Sequence, residues 1–257
     1  MTMTPDFGTN ACCRAAKPTP VRNRRWLLLA AAAVLVAAGT VYLLRPRNTP
    51  PSSVTPSEAL ALAQQYVAHA WTAGPKNAFH GTDPDGVRLD TLDAGYAPGG
   101  TREGWWHPDQ TNVGIPYKWG GFDLPDEFDA GLRAGKFAGD AYSEEKRRLL
   151  DDAVSRHAVG IDCSGFVSRC WKLPRSYSTR ELPQLCDPVE DLSQLQPGDI
   201  FNKHNAHVRL FAAWASDDRQ RASVYEASAK VQRRDYALAD MLAEGYTAWR
   251  YRGMQGK

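Results

Sequence analysis

The sequence predicts an α+β fold in which a small antiparallel sheet packs against helices, preceded by one transmembrane helix. Three observations lead to this expectation: an uncharged apolar run near the N-terminus, stretches with apolar residues at helical spacing, and short apolar runs of strand length near the C-terminus. At 257 residues, 43% of them hydrophobic, the chain can bury one full core but is short for two independent domains. We therefore expect one globular domain over residues 57–257.

The uncharged run covers residues 26–44, and as a helix its 19 residues would span the hydrocarbon core of a bilayer, about 30 Å. Five basic residues precede the run and two follow it closely, so the positive-inside rule makes residues 1–25 a cytoplasmic tail. A cleaved signal peptide is the alternative, since residues 27–38 have the length of its hydrophobic region. Either interpretation exports the domain, after a Pro- and Ser-rich linker at residues 45–56.

Charge is unevenly distributed along the chain. Seven of the 31 Lys and Arg and one of the 29 Asp and Glu lie within residues 1–47, which leaves 24 basic and 28 acidic residues in the remainder. A domain with an acidic excess lacks the basic surface that nucleic acid requires. We therefore expect no nucleic-acid partner.

The five cysteines fall into two groups. Cys12 and Cys13 precede the apolar run and are given no role, whereas Cys163, Cys170 and Cys186 follow it. Cys170 and Cys186 could form a disulfide in an oxidising compartment or remain free, because the sequence does not fix their geometry. No set of Cys and His has the spacing of zinc ligands. We expect no metal and no cofactor.

The first half of the domain is expected to contain two helices and one strand. Apolar residues recur at helical spacing over residues 57–73 and again over residues 143–160, and residues 87–92 alternate as in a strand. Residues 83–86 resemble half of a calcium loop but lack the other oxygen ligands, so we expect a turn. Residues 114–121 combine aromatics with glycines, which lets backbone and rings approach a ligand closely.

Cys163 is expected in the first turn of a further helix, because the apolar residues that follow it recur at helical spacing through Trp171. Four later apolar runs are expected to form the small sheet: residues 199–202, 207–214, 223–228 and 247–251.

Cys163 is the candidate nucleophile. A thiol attacks carbonyl groups as the thiolate, and a helix N-terminus favours that anion and can also hold the oxyanion formed on attack. Imidazole is a suitable base, and His207, at the start of a strand, is favoured over His204. Glu226 on the next strand could orient the imidazole, or could face solvent on an edge strand.

Four short motifs occur in order along the chain: Pro-Tyr-x-Trp-Gly-Gly at 116–121, Asp-Cys-Ser-Gly-Phe-Val at 162–167, Leu-x-Pro-Gly-Asp-Ile at 195–200 and His-Val at 207–208. Together they resemble the NlpC family of papain-like cysteine peptidases. The resemblance implies a cysteine at the start of a helix packed on a small antiparallel sheet, with the histidine at the start of a strand. It also implies a bacterial enzyme that cleaves peptidoglycan stem peptides outside the cytoplasmic membrane, either as a single-pass membrane protein or after secretion.

By the same resemblance, Cys163, His207 and Glu226 would be catalytic residues acting through a thioester at the cysteine. Tyr117, Asp162 and Ser164 would contact the substrate. From the residues alone, Asp162 and Ser164 could equally cap the helix, and Tyr117 could be a core residue.

The sequence also departs from the family pattern. The family usually has only a few residues between the Trp-Gly-Gly and Asp-Cys-Ser segments, whereas 40 residues separate Gly121 from Asp162 here. This insertion, about residues 122–160, could form a wall or a lid of the substrate cleft. Arg209 stands where the family typically has glycine, and Glu226 where it commonly has histidine. Two alternatives stay open: a papain-like amidase or acyltransferase acting on another amide, and an anchored binding domain without catalysis.

Overall fold

The structure is a computed structural model that describes residues 50–97 and 104–256. The first half of this part contains α1 (Pro56–Ala68), β1 (Ala70–Thr72), β2 (His80–Thr82), β3 (Arg88–Asp90), β4 (Thr111–Val113), α2 (Pro125–Arg133), β5 (Phe137–Ala138), α3 (Glu144–Leu149) and β6 (Ala158–Val159). The second half contains α4 (Cys163–Cys170), β7 (Cys186–Pro188), β8 (Ile200–Lys203), β9 (His207–Trp214), β10 (Arg221–Ala227), β11 (Val231–Ala237), α5 (Leu238–Ala243) and β12 (Thr247–Tyr251).

The strands of the second half form one six-stranded sheet in the order β11-β10-β9-β8-β12-β7. Every neighbouring pair in this sheet is antiparallel. β9 and β10 are therefore interior strands, hydrogen-bonded on both sides. Three two-stranded pairs lie outside the sheet: β1 with β4, β2 with β3 and β5 with β6.

The fold class predicted from the sequence is wrong in two respects. The sheet has six strands because β7 and β11 extend the four predicted ones, which correspond to β8, β9, β10 and β12. β11 carries three consecutive charged residues at its centre and β7 is three residues long, so neither has the apolar run that marked the others. Within the described residues, no helix has both the length and the apolar character needed to cross a membrane. The predicted spanning segment, residues 26–44, lies outside them.

Helix α1 is shorter than predicted. Its start is fixed by a capping box, in which the Thr55 side chain accepts from the Glu58 N–H and the Thr55 N–H donates to the Glu58 carboxylate at 2.8 Å. The helix ends at Ala68 because the chain turns into β1, where Trp71 pairs with Asn112 of β4. Trp71, which the helical pattern included, is therefore a strand residue.

Helix α4 occupies the centre of the larger hydrophobic core, between α1 and the sheet. Phe166 is fully buried and packs edge-on against Tyr66 of α1, with ring centroids 5.6 Å apart. Trp171, just after the helix, stacks on Tyr251 of β12 at 4.7 Å and donates its indole N–H to the Gly198 carbonyl at 3.0 Å. These contacts fix the middle and the C-terminal end of α4 against the rest of the domain.

A second, smaller core covers the opposite face of the sheet. Phe201 of β8 and Phe211 of β9 meet there with ring centroids 6.2 Å apart, and Met241 of α5 and Tyr246 pack over them. Tyr246 of this layer also lines the cleft at the start of α4.

Cys170 and Cys186 are free and buried, so the disulfide that the sequence left open is not formed. Burial raises the pKa of both thiols, which keeps them protonated. Residues 83–86 form the expected turn between β2 and β3, in which the Asp83 carboxylate accepts from the N–H groups of Asp85 and Val87.

The inserted segment is attached to the Trp-Gly-Gly motif through its backbone, and it contains one buried ion pair. The Asp140 N–H donates to the Tyr117 carbonyl at 2.8 Å, and the Trp119 N–H donates to the Asp140 carbonyl at 3.1 Å. The Asp140 carboxylate is fully buried and pairs with Lys146 of α3 at 2.7 Å. Burial raises the pKa of Asp140 to about 6, against the opposing effect of Lys146.

Replacing Lys146 with Met is expected to lower the free energy of unfolding by about 3–5 kcal/mol, because it leaves the Asp140 carboxylate buried without its partner. Urea denaturation at pH 7 measures this loss. Arg148→Met, an exposed change in the same helix, is the matched control and should change stability by less than about 0.5 kcal/mol. Equal effects of the two substitutions would show that the buried pair does not hold the insertion in place.

Candidate active site

A cleft of about 1140 Å³ opens at the N-terminal end of α4. All six residues selected from the sequence line it: Cys163, His207, Glu226, Tyr117, Asp162 and Ser164. They come from four separate parts of the chain, namely the Trp-Gly-Gly segment, α4, β9 and β10. The fold therefore brings together residues that lie up to about 110 positions apart in sequence.

Cys163 is the first residue of α4, and Asp162 is its N-cap. The Asp162 carboxylate accepts from the Gly165 N–H at 2.6 Å and from the Ser164 hydroxyl at 2.9 Å. Asp162 thus caps the helix, as its alternative interpretation held, whereas Ser164 only donates to the capping carboxylate. Both residues also line the cleft. The Cys163 N–H has no acceptor within its own helix, so it can donate to an oxyanion beside the sulfur.

Two glycines allow this helix to start where it does. A Cβ added to Gly165 would lie 2.2 Å from the Gly121 carbonyl oxygen, and a Cβ added to Gly121 would lie 2.5 Å from the Gly160 oxygen. The Asp162 N–H donates to the same Gly121 carbonyl at 3.2 Å. Close backbone contact between the Trp-Gly-Gly segment and the start of α4 therefore requires glycine at both positions.

Tyr117 is brought to the cleft by the same backbone contact. It forms an isolated bridge with Ile161, and its own N–H donates to the Ala229 carbonyl at 2.9 Å. The residue is buried, packs in the larger core and still lines the cleft. Tyr117 is therefore both a core residue and a cleft residue.

His207 begins β9 and contacts both Cys163 and Glu226. Its Nε2 lies 3.0 Å from Glu226 Oε2, and the Cys163 thiol lies near enough to the imidazole to raise the imidazole pKa. Because Nε2 faces the carboxylate, Nδ1 is the nitrogen left for the sulfur. The candidate nucleophile, base and orienting carboxylate thus lie next to one another in this order.

The protonation states of His207 and Glu226 follow from the charges and hydrogen bonds around them. Burial alone lowers the pKa of His207, but Cys163 and Glu226 outweigh it and raise that pKa to about 9. Burial raises the pKa of Glu226, yet the hydrogen bonds and charges of His207, Tyr236 and Arg209 lower it to about 2. At neutral pH the site therefore holds an imidazolium next to a carboxylate.

Glu226 has two further donors that the sequence did not reveal as site residues. Tyr236 of β11 donates its hydroxyl to Oε1 at 2.6 Å, and Arg209 of β9 donates from Nε to Oε2 at 3.0 Å. Glu226 is 2% exposed and its strand is interior, so the alternative of a solvent-facing edge residue is wrong. The signal that could have indicated Tyr236 is the alternation of β11, which places every second residue on the face of Glu226.

The remaining histidines lie elsewhere. All six histidines are among the described residues, and His207 is the one that lines the cleft. His204, the competing candidate, is exposed in the turn between β8 and β9.

The insertion forms one wall of the cleft. Tyr142, Leu150 and Val154 line it from the inserted segment, next to Trp119. The Trp119 indole N–H donates to the Leu150 carbonyl at 3.1 Å, and Leu150 has a positive φ of 53°. A non-glycine residue in this conformation is held by its surroundings, here beside the cleft.

Metal-capable side chains meet at one place within the described residues, where ligand atoms of Asp83, Asp85 and His157 lie within 4.8 Å of one another. His157 Nε2 already contacts Asp85 at 2.9 Å, and the Ser155 hydroxyl donates to Asp83 at 2.6 Å. None of these residues lines the cleft.

Comparison of the chain with protein-family models, with curated proteins and with solved structures found no match. The geometry of the site therefore carries the functional argument.

Cys163 is expected to react with iodoacetamide at least about 10-fold faster than Cys170 and Cys186, because it alone of these three thiols lines the cleft. His207→Gln removes the group that takes the thiol proton and should slow the reaction of Cys163 by about 10-fold or more. Peptide mass spectrometry gives the rate at each cysteine. His204→Gln is the control, and an unchanged rate in His207→Gln would contradict the pairing.

Stability should depend on pH through His207. Its folded pKa of about 9 exceeds the ordinary value of 6.5, so its contribution is complete below pH 6.5 and is lost as the pH rises through 9. The free energy of unfolding should therefore fall between these limits by about 3 kcal/mol in the wild type, and by less in His207→Gln. Chemical denaturation at several pH values tests this, and parallel curves would exclude the raised pKa.

Proposed function

We propose that the chain is a cysteine peptidase of the NlpC family that hydrolyses an amide bond of peptidoglycan stem peptides through a thioester at Cys163. The observation that carries the proposal is the series from Cys163 through His207 to Glu226 at the start of α4. The four ordered motifs support the family, and the proposal requires the domain to be exported to the cell wall.

In the first half of the reaction, the Cys163 thiolate attacks the carbonyl carbon and the carbonyl electrons move to oxygen. The N-terminus of α4, including the Cys163 N–H, holds the resulting oxyanion. The His207 imidazolium gives its Nδ1 proton to the amide nitrogen, the C–N bond breaks and the amine leaves. Glu226 keeps the imidazole oriented throughout.

In the second half, water attacks the thioester and gives a proton to His207 Nδ1. The C–S bond breaks, the acid leaves and the thiolate–imidazolium pair forms again. The same nitrogen thus acts as acid and then as base, which requires Glu226 to hold Nε2 in both steps.

The charges of the cleft agree with an anionic peptide. It is lined by six cations and four carboxylates: Arg147, Arg175, Arg180, Arg209, Lys230 and Arg234 against Asp151, Asp162, Glu181 and Glu226. Glu181 is paired with Arg175, and Glu226 with Arg209. The remaining cations favour a substrate with free carboxylates, as stem peptides have.

A second candidate keeps the thioester and changes the substrate. The wall formed by Trp119, Tyr142, Leu150 and Val154 is apolar and aromatic, which would also suit the acyl group of another amide in an amidase or acyltransferase. Analysis of the released products distinguishes the two candidates. A binding domain without catalysis is disfavoured, because binding alone gives no reason to bury a carboxylate against an imidazole next to a thiol.

The full chain is expected to release peptide fragments from purified peptidoglycan, and Cys163→Ala should lower the rate by about 10³-fold or more because the nucleophile is lost. Mass spectrometry identifies the fragments and the cleaved bond. Cys170→Ala, which removes a buried thiol from the same helix, is the matched control and should stay active. Equal product from wild type and Cys163→Ala would reject Cys163 as the nucleophile.

A further inference from the structure

Arg209 shares one carboxylate oxygen with the proposed base. Its Nε lies 3.0 Å from Glu226 Oε2, and His207 Nε2 lies 3.0 Å from the same atom. Arg209 follows His207 by two residues on β9, so both side chains leave the strand on the same face. Two positive groups therefore meet at a single oxygen of one buried carboxylate.

The guanidinium is held firmly in this position. It lies over the ring of Tyr236 at 3.8 Å and over the ring of Tyr246 at 4.4 Å. The side chain is 9% exposed, and its Nη1 has no hydrogen-bond partner among the described residues. Leaving a buried donor unsatisfied costs free energy, so packing and the bond to Glu226 must outweigh that cost.

This arrangement affects how tightly Glu226 binds the imidazolium. A guanidinium keeps its positive charge at all relevant pH values. It partly compensates the negative charge of the carboxylate, which therefore attracts the His207 imidazolium less strongly. An imidazolium held too tightly by a carboxylate is a poor acid for the leaving amine. A permanent cation at Oε2 limits that effect while its rigid bond keeps the carboxylate in place.

We propose that Arg209 is a positioning residue that orients Glu226 and weakens the hold of this carboxylate on the His207 imidazolium, so that the imidazolium can release its proton. The inference rests on the proposed function, and it names a residue outside the three that carry the reaction. Arg209 acts through Glu226 and forms no bond with the reacting atoms.

Charged and titratable groups near His207 and Arg209 come from the elements packed against them: Cys163 of α4, Lys203 of β8, Glu226 of β10, Arg234 and Tyr236 of β11, Glu244 at the end of α5, and Tyr246. Burial raises the pKa of Tyr236 and of Tyr246, which keeps both hydroxyls neutral near pH 9. Lys203 and Arg234 are cations, and Glu226 is a carboxylate. Neither tyrosine therefore contributes to a His207 titration that is followed up to pH 9.

The test is a titration of His207 in the full chain, followed by NMR with carbon-13 in the imidazole rings and assigned through the signal lost in His207→Gln. Arg209→Met should raise the midpoint of His207 by about 1 pH unit, because Glu226 then faces the imidazolium alone. Arg209→Lys, which keeps the charge, should bring the midpoint back toward the wild-type value. Arg233→Met on β11 points away from the cleft and is the matched control, with an unchanged midpoint.

If Arg209→Met does not fold, Arg209→Gln replaces it and should move the midpoint in the same direction. A folded neutral variant with an unchanged or lowered midpoint would overturn the inference, and so would a shift in Arg209→Lys equal to that in Arg209→Met. The titration needs no substrate. Failure to cleave peptidoglycan would therefore reject the proposed function separately from this result.

Discussion

The contact between two glycines fixes the geometry on which the site depends. Gly121 and Gly165 allow the backbone of the Trp-Gly-Gly segment to touch the first turn of α4. That contact sets the position of Cys163 relative to the sheet and places Tyr117 in the same cleft. A side chain at either glycine would separate the two segments, because the clashing atoms are backbone oxygens that cannot rotate away.

A second constraint is the buried charge of Glu226. A carboxylate that is 2% exposed is costly unless every oxygen is satisfied. The sheet satisfies it with donors from two strands besides its own, namely His207 and Arg209 of β9 and Tyr236 of β11. The same bonds that compensate its burial hold the imidazole in place, so the stability of the sheet and the orientation of His207 depend here on one set of contacts.

Much of the site was predictable from sequence because its residues carry local signals. Cys163 precedes a helical apolar stripe and His207 begins an apolar strand, and both positions follow from periodicity. Arg209 and Tyr236 were not predictable as partners of Glu226, since their contact depends on how β9, β10 and β11 align, which no single segment encodes.

The fold was predicted less completely. The four apolar strands were found, but β7 and β11 lack the apolar pattern and were missed. Helix α2 was also missed, and the helix predicted over residues 143–160 is interrupted after Leu149, where Leu150 takes a positive φ. Tertiary contacts such as the bond from Trp119 to the Leu150 carbonyl override local propensity at that point.

The bond from Trp119 to the Leu150 carbonyl also shows which parts of the insertion attach it to the domain and which parts only line the cleft. Trp119 is tied to the backbone carbonyl of residue 150, and Asp140 is tied to residues 117 and 119 through its own backbone. Neither attachment requires the side chains that Tyr142, Leu150 and Val154 present to the cleft. These side chains can therefore change while the attachment of the wall and the positions of Cys163, His207 and Glu226 stay as they are. Under the proposed function, this segment is the place where sequence changes would alter substrate preference.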